Sequence, residues 1–492
     1  MQSTLLGRVR GAVAVAVALV LAAPCAMAQD QDGRSVDKLL EKIDRLERRV
    51  VELESSQADA GQSVLESRIN ALSESVAALP AATDFQAAWK NGTSLANEDG
   101  TFKISIGGRL HNDWVWGTQD EDLEASLGNN ITDGTGMAVG FSPFHYEDGV
   151  EFRRARMHIG GTIHQNVVFK VEFDFAGGDA DFRNVYIGLK NVAVVGNVLV
   201  GHFKQPFGLE EATSSRFITF MERSAATDAF APAYETGIMA YNNALDDDRL
   251  FWAVSFFRDV NDYGDSSPVE DGNYGVAVRI TGLPFVDEDS DFLLHIGGGF
   301  VYNNPNGESV RYRARPTIHL SERFVDTGTF ATDDIMRYNA EIAVVLGSFS
   351  AQGEYFFVDN DGGDVIDECP GFWGGYFQVS YFLTGEMRPY DRKHAAFTRV
   401  KPNENALDGS GGMGAWEVGA RIDYIDLNDD FQGGEMYNIT VGITWYINAN
   451  TQVKLNYVYS NVDELAVDSL SGITGNGSGE AHIFGIRFQI DF

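Results

Sequence analysis

Seven basic side chains in this 492-residue chain fall where they could grip an anion together. Arg154 and Arg156 alternate in "FRRARMHIGG", Lys170 stands in "VVFKVEFDF", and Arg109 lies in "ISIGGRLHND". Lys204 closes "VLVGHFK", and Arg216 and Arg223 follow in "SSRFITFMER". Guanidinium and ammonium groups bind oxyanions through charge-assisted hydrogen bonds, stronger and shorter than neutral ones. The last pair sits oddly. Residues 214–232 follow no helical or strand period, yet Phe217, Ile218, Phe220, Met221, Phe230 and Pro232 are residues that seek burial. An irregular stretch of roughly thirty residues with that composition reads as a functional loop. Two placements are open for it: inside a lumen with both arginines projecting into water, or packed on a rim with both held by Glu210, Glu211 and Glu222.

The elements that must carry these bases have a period of two. In "FKISIGGRLHNDWVW", Phe102, Ile104, Ile106, Leu110, Trp114 and Trp116 share one face, opposite Lys103, Ser105, Arg109, His111 and Asp113. The pattern recurs in "VVFKVEFDF", in "MYNITVGITWYIN", in "TQVKLNYVYS" and in the terminal "HIFGIRFQIDF". Such strands suit either a soluble sandwich with its apolar face inward or a membrane barrel with that face turned to lipid. Strands of 9 to 11 residues, aromatics at strand ends (Trp445 and Tyr446, Tyr457 and Tyr459) and an aromatic final residue favour the barrel. The expected fold is an all-β transmembrane barrel of about 16 antiparallel strands, which leaves an aqueous channel. Parity then turns Arg154, Arg156 and His158 to the lumen, with Lys103, Arg109, Lys170, His202 and Lys204. Arg421, Lys454 and Arg487 do the same on later strands.

The first part of the chain differs. Residues 1–28 read as a signal peptide: Arg8 and Arg10, an apolar run over 11–23 too short to span as a helix, then the "AMA" cleavage pattern. Residues 29–80 carry an interrupted heptad seam, Leu39, Ile43, Leu46, Val50, Leu53 and again Leu65, Ile69, Leu72, Val76, Leu79, the mark of a self-associating α-helical coiled coil. Residues 81–100 read as a polar linker, and the barrel domain as 101–492. Cleavage after Ala28 would leave Cys369 as the sole thiol, so neither a disulfide framework nor a cysteine metal site is expected.

Several blocks resemble the phosphate-selective porin family of Gram-negative outer membranes. They are "VEFRRARMHIGGTI", "VGHFKQPFGLEEATSSRFITFMER", "FAPAYETGI", "YFLTGEMRPYDR", "GAWEVGARIDYIDL" and "ITWYINANTQVKLNYV", in that order over about residues 100–492. The resemblance implies a homotrimer of sixteen-stranded barrels with lumen-folded loops, set in the bilayer beside lipopolysaccharide. It implies passage of phosphate or pyrophosphate through a constriction lined by Arg and Lys, and a coil that extends into the periplasm as in some relatives; contact of that coil with peptidoglycan or a periplasmic partner is a separate expectation. On this reading Arg216, Arg223, Lys204, Arg154, Arg156, Lys170 and Arg109 line the pore and touch small inorganic anions.

Charge keeps the substrate open. The chain holds 37 basic and 71 acidic residues, a formal net charge of -34. Ten and fourteen of these precede residue 100, leaving 27 basic against 57 acidic in the barrel region, a net of -30. Glu172, Asp174, Glu341, Glu354, Glu417 and Asp423 share lumen parity, so a cation-preferring or weakly selective pore, or a barrel that merely tethers the coil to the cell wall, stand as alternatives. No G-x-S-x-G, H-E-x-x-H or P-loop motif occurs, and no enzyme, cofactor or metal site is expected.

Overall fold

The computed structural model describes residues 41, 42, 44, 45, 48, 85–89, 92–132, 138–265, 272–305, 309–361, 370–429, 431–466 and 476–492. The signal peptide and the heptad seam lie outside them. Of residues 29–80, those described are helical, and Arg45 pairs with Glu41 one turn away at 2.9 Å.

From Asp84 onward the chain forms a separate unit. Its body is a closed barrel of 16 antiparallel strands. They are β1 (Phe102–Gln119), β2 (Gly149–Ile163), β3 (Val167–Asp174), β4 (Asp181–Val192), β5 (Gly196–Lys204), β6 (Tyr234–Ala244), β7 (Leu250–Arg258) and β8 (Tyr274–Asp287). The second half is β9 (Phe292–Asn304), β10 (Asp334–Leu346), β11 (Phe349–Asp361), β12 (Gly371–Phe382), β13 (Ala415–Asp429), β14 (Phe431–Asn448), β15 (Thr451–Leu465) and β16 (Gly477–Asp491). Each strand pairs with the next, and β16 closes on β1 from Ala481–Gln119 to Asp491–Arg109. Closure satisfies every ladder without an edge, the condition for spanning hydrocarbon.

The two faces settle which solvent the barrel lives in. Phe377, Ile422 and Phe488 point outward at 53%, 52% and 51% exposure, while their neighbours Gln378, Arg421 and Arg487 are buried inside. A water-soluble sandwich has the opposite arrangement. Outward aromatics gather near both ends: Trp416 stacks on Trp445 at 5.4 Å near one, and Trp373 meets Tyr424 at 4.9 Å near the other. These are interfacial girdles.

Short turns such as 347–348 and 449–450 lie at one end together with the long loop 383–414, and the other long loops lie at the opposite end. In barrels of this kind the short turns face the periplasm. Loops 205–233, 305–333 and 383–414 fold inward. Loop 205–233 brings Phe207, Met221 and Phe230 to a core shared with Tyr312, Ile318 and Phe324 of loop 305–333 and with Phe356, Phe372, Val458 and Ile483 of the wall. Loop 383–414 enters from the short-turn end and packs Phe397 against Leu209, Ala343 and Val345. The sequence reading anticipated the first of these alone. It also missed the short helices of that loop, Leu209–Ala212 and Ala225–Phe230, because one or two turns leave no periodicity to detect.

The stretch expected to be a linker holds a hairpin, Phe85–Trp89 with Thr93–Asn97, whose second strand pairs with Lys103–Ile106 of β1. β1 outruns β16 at the short-turn end, and the hairpin occupies the edge this leaves. Five-residue strands without alternation gave no signal of it.

Candidate functional site

The loop 205–233 crosses the lumen because its backbone is tied to the far wall. At Gly208 the chain turns inward at φ 73°, where a Cβ would come within 2.8 Å of Glu354 Oε2. Glu354 then accepts from Leu209 N at 2.8 Å, Glu210 N at 2.6 Å, Asn339 Nδ2 at 3.0 Å and Tyr376 Oη at 2.7 Å. At the tip, Gln452 and Gln489 donate to Arg216 O at 3.1 and 3.0 Å, and Arg388 donates to Phe217 O at 2.7 Å. Lys454 Nζ donates to the carbonyls of Ile218, Thr219 and Phe220. Arg487 donates to Met221 O, and Arg421 to Glu222 O at 3.1 Å. The wall is recessed to receive the tip: a Cβ on Gly485 would lie 2.9 Å from Met221 Sδ.

This corrects the expected ladder. Arg421, Lys454 and Arg487 do point inward, as parity requires, but on this wall inward means toward the loop. Buried carbonyls away from water need donors, and these bases supply them.

The adjoining wall, β1 to β5, faces a cavity of about 620 Å³. All seven bases singled out from the sequence line it: Arg109, Arg154, Arg156, Lys170, Lys204, Arg216 and Arg223. Most stand against a carboxylate. Arg109 Nη2 lies 2.6 Å from Glu172 and its Nη1 donates to Ser215 Oγ at 2.9 Å. Lys170 reaches the same Glu172 at 2.6 Å, and Arg156 donates to Asp174 at 2.7 Å. Lys204 sits 2.6 Å from Glu211. Arg154 meets Glu222 at 3.2 Å.

Two further bases line the cavity that parity did not assign. In strict alternation Arg153 would face lipid, but β1 pairs His111 with Arg154 and Asn112 with Phe152, so Arg153 is an extra residue in a bulge. It turns in and donates to Glu222 at 3.1 Å. Arg183, near the start of β4, lies 3.0 Å from Asp181 and 5.8 Å from the Tyr234 ring centre. Alternation would place Arg183 with the outward Ile187 and Leu189, but a second bulge between Phe182 and Val185 turns it in. Lys103 is exposed outside the cavity, and His202 hydrogen-bonds Thr236 Oγ1 at 3.3 Å instead of lining it.

Arg216 and Arg223 divide between the two expected placements. Arg223 is held within its own loop, 2.9 Å from Glu211, with Nε and Nη2 donating to the carbonyls of Glu210 and Thr213 at 3.0 Å each. Arg216 is freer: Nε donates to Ser214 Oγ at 3.3 Å, and its nearest carboxylate, Asp491, is 3.7 Å away. Burial, with Arg109 close by, lowers its guanidinium to about 10, which leaves it charged at neutral pH. Burial pushes the Glu222 carboxyl up, but Arg153, Arg154 and Arg487 outweigh it and hold the group well below the usual carboxylate range.

The six inward acids are buried too, and those with cationic partners are engaged: Glu172 with Arg109 and Lys170, Glu341 with Arg279, Glu417 with Arg388, Asp423 with Arg421. The cavity lining therefore counts nine Arg and Lys side chains against three carboxylates, Glu211, Asp228 and Asp391. Among the described residues no group of three or more His, Cys, Asp or Glu is arranged to hold a metal ion.

Residues 142–492 match the family described as phosphate-selective porin O and P. Porin O of Pseudomonas aeruginosa is 26% identical over 439 residues, covering 82% of this chain and 91% of that protein. An uncharacterized protein of Caulobacter vibrioides is 27% identical over 357 residues, 70% of this chain and 68% of its own length. Among solved structures, OmpT, an outer membrane protein of Vibrio cholerae in trimer form, is 12% identical with a TM-score of 0.47, covering 80% of this chain and all of that one. The anion-selective porin from Comamonas acidovorans is 11% identical with a TM-score of 0.43, covering 79% and 100%.

Proposed function

The chain belongs to the phosphate-selective porin O and P family, and on that premise we propose that this outer-membrane porin passes small inorganic anions, phosphate or short polyphosphate, by diffusion. The observation that carries the proposal is local. In a chain of net charge -34, the lining of the crossed lumen holds nine bases and three carboxylates. Selectivity follows the charges an ion meets at the narrowest point, not the sum over loops.

The bases are stepped along the wall. Arg154 sits opposite His111, Arg156 opposite Arg109, and Lys170 opposite Gly160, four residues further along β2. At about 3.3 Å per residue this spreads them over roughly 20 Å of strand. An oxyanion exchanges part of its water for hydrogen bonds from one or two bases at a time. Carboxylates behind those bases keep each site weak, and weak sites in series permit conduction. The same pairings support a second reading, a weakly selective pore in which Glu172, Asp174 and Glu222 cancel much of the field.

We take the working unit as a homotrimer, by the family resemblance, with the coil segment on the periplasmic side. The test of function is block of chloride current by added phosphate across a planar bilayer holding the purified protein. Block at millimolar phosphate supports an anion site, and chloride current insensitive to phosphate contradicts it.

A further inference from the structure

Arg216 of loop 205–233 and Arg399 of loop 383–414 both lie over the Phe217 ring, their guanidinium carbons 5.0 and 5.2 Å from its centre. Both also reach toward one carboxylate, Asp491 at the end of β16, but unequally. Arg399 takes it in a fork, Nη1 to Oδ1 at 3.1 Å and Nη2 to Oδ2. Arg216 Nη1 stops 3.7 Å from Oδ2, beyond a hydrogen bond. The Arg399 fork holds the carboxylate away from it, and the Asp491 backbone is anchored as well, its N donating to Asn450 O and its O accepting from Asn450 Nδ2, each at 2.9 Å. Of the bases lining the cavity, Arg216 is thus one whose partner is charged, fixed and out of hydrogen-bond reach.

We propose that Asp491 is a specificity-determining residue: a built-in anion that competes with the permeating oxyanion for Arg216, with Arg399 setting how strongly it competes. The inference rests on the anion-conducting reading above. When an oxyanion occupies the cavity, the Arg216 guanidinium turns its terminal N–H groups to it. When Arg216 swings back toward Asp491, the oxyanion loses a donor and leaves on the periplasmic side. Arg399 occupies both carboxylate oxygens and so keeps Asp491 from capturing Arg216 outright. Asp491 acts through Arg216 and is a positioning residue; the exchange moves no proton and forms no covalent bond.

Two substitutions should then act in opposite directions, which a scaffold role for Asp491 does not predict. In planar bilayers with the full chain, the phosphate concentration that halves chloride current should fall in Asp491→Asn, on the order of fivefold, the worth of one charge near 4 Å in water. In Arg399→Gln it should rise, because Asp491 is free to close on Arg216. Both shifts should vanish in an Arg216→Ala background. Phosphate block in the wild type with no opposite shifts overturns this inference and leaves the channel reading intact. No phosphate block in the wild type overturns both. Should Asp491→Asn fail to assemble, a fall or no change in Arg399→Gln suffices to reject the proposal.

Discussion

Arg487 on the last strand donates to Glu222 in the pore loop at 2.5 Å, across 265 residues of sequence, and grips Asp113 on the first strand at 2.5 and 2.7 Å. One guanidinium therefore joins the seam that closes the barrel to the loop that narrows it. Replacing it by Gln should leave the buried Asp113 without its cation and Glu222 with two of its three, a cost of about 3–5 kcal/mol for a broken buried pair. The expected outcome is a barrel that still assembles but shows flickering single-channel current and a lower thermal transition. Quiet channels with wild-type conductance would show that the loop does not depend on this clamp.

Arg216 and Arg223 should separate on substitution. Arg216→Ala removes a base that faces the cavity, so phosphate block should weaken and cation permeability rise. One charge-assisted contact is worth about 1.5–3 kcal/mol when desolvated, less in a wet pore. Arg223→Ala removes a tie within the loop, to Glu211 and the carbonyls of Glu210 and Thr213. It should raise current noise more than it changes selectivity. Equal selectivity losses in the two variants would mean that Arg223 also serves the anion directly.

The pH dependence of the loop follows from Glu222. Its folded pKa lies well below 4.5, so the stability it contributes is fully present above the unfolded value and lost only as pH falls through the folded one. Single-channel noise should be the same at pH 5 as at pH 7 and increase only in much stronger acid. Noise that grows between pH 7 and pH 5 would assign the clamp to a different group.

Much of this was legible in the sequence, and the limits have a physical cause. Alternation reports which face a residue takes, so Arg109, Arg154, Arg156 and Lys170 were found on the lumen side. It does not report what the lumen contains. Lys454 and Arg487 have the same parity as Lys170, yet they donate to loop carbonyls because a wall of β12 to β16 faces the loop. Arg153 was lost to a bulge, a one-residue shift that alternation alone cannot register. Loops 305–333 and 383–414 fold inward through Tyr312, Phe324 and Phe397, apolar residues too widely spaced to form a pattern.

The outward face should be intolerant of charge in a way the inward face is not. Phe377→Arg on β12, at 53% exposure, should cost about 2–4 kcal/mol if it lies near the bilayer midplane. Reversible unfolding from lipid vesicles measures it. A cost near zero would place that residue outside the hydrocarbon.

Deletion of residues 30–82 should leave a conducting barrel, because the barrel closes on itself through β16 and β1. Wild-type conductance per channel is the expected result, judged in planar bilayers. Loss of conductance with a folded barrel on heat-modifiable gels would assign residues 30–82 a part in the channel.

The central claim is that the local lining, not the net charge of -34, sets what passes. Reversal potential across a planar bilayer with a potassium chloride gradient reads this directly from the purified protein. The account predicts the sign of an anion-preferring pore, reduced in Arg216→Ala. A cation-preferring sign in the wild type would contradict it.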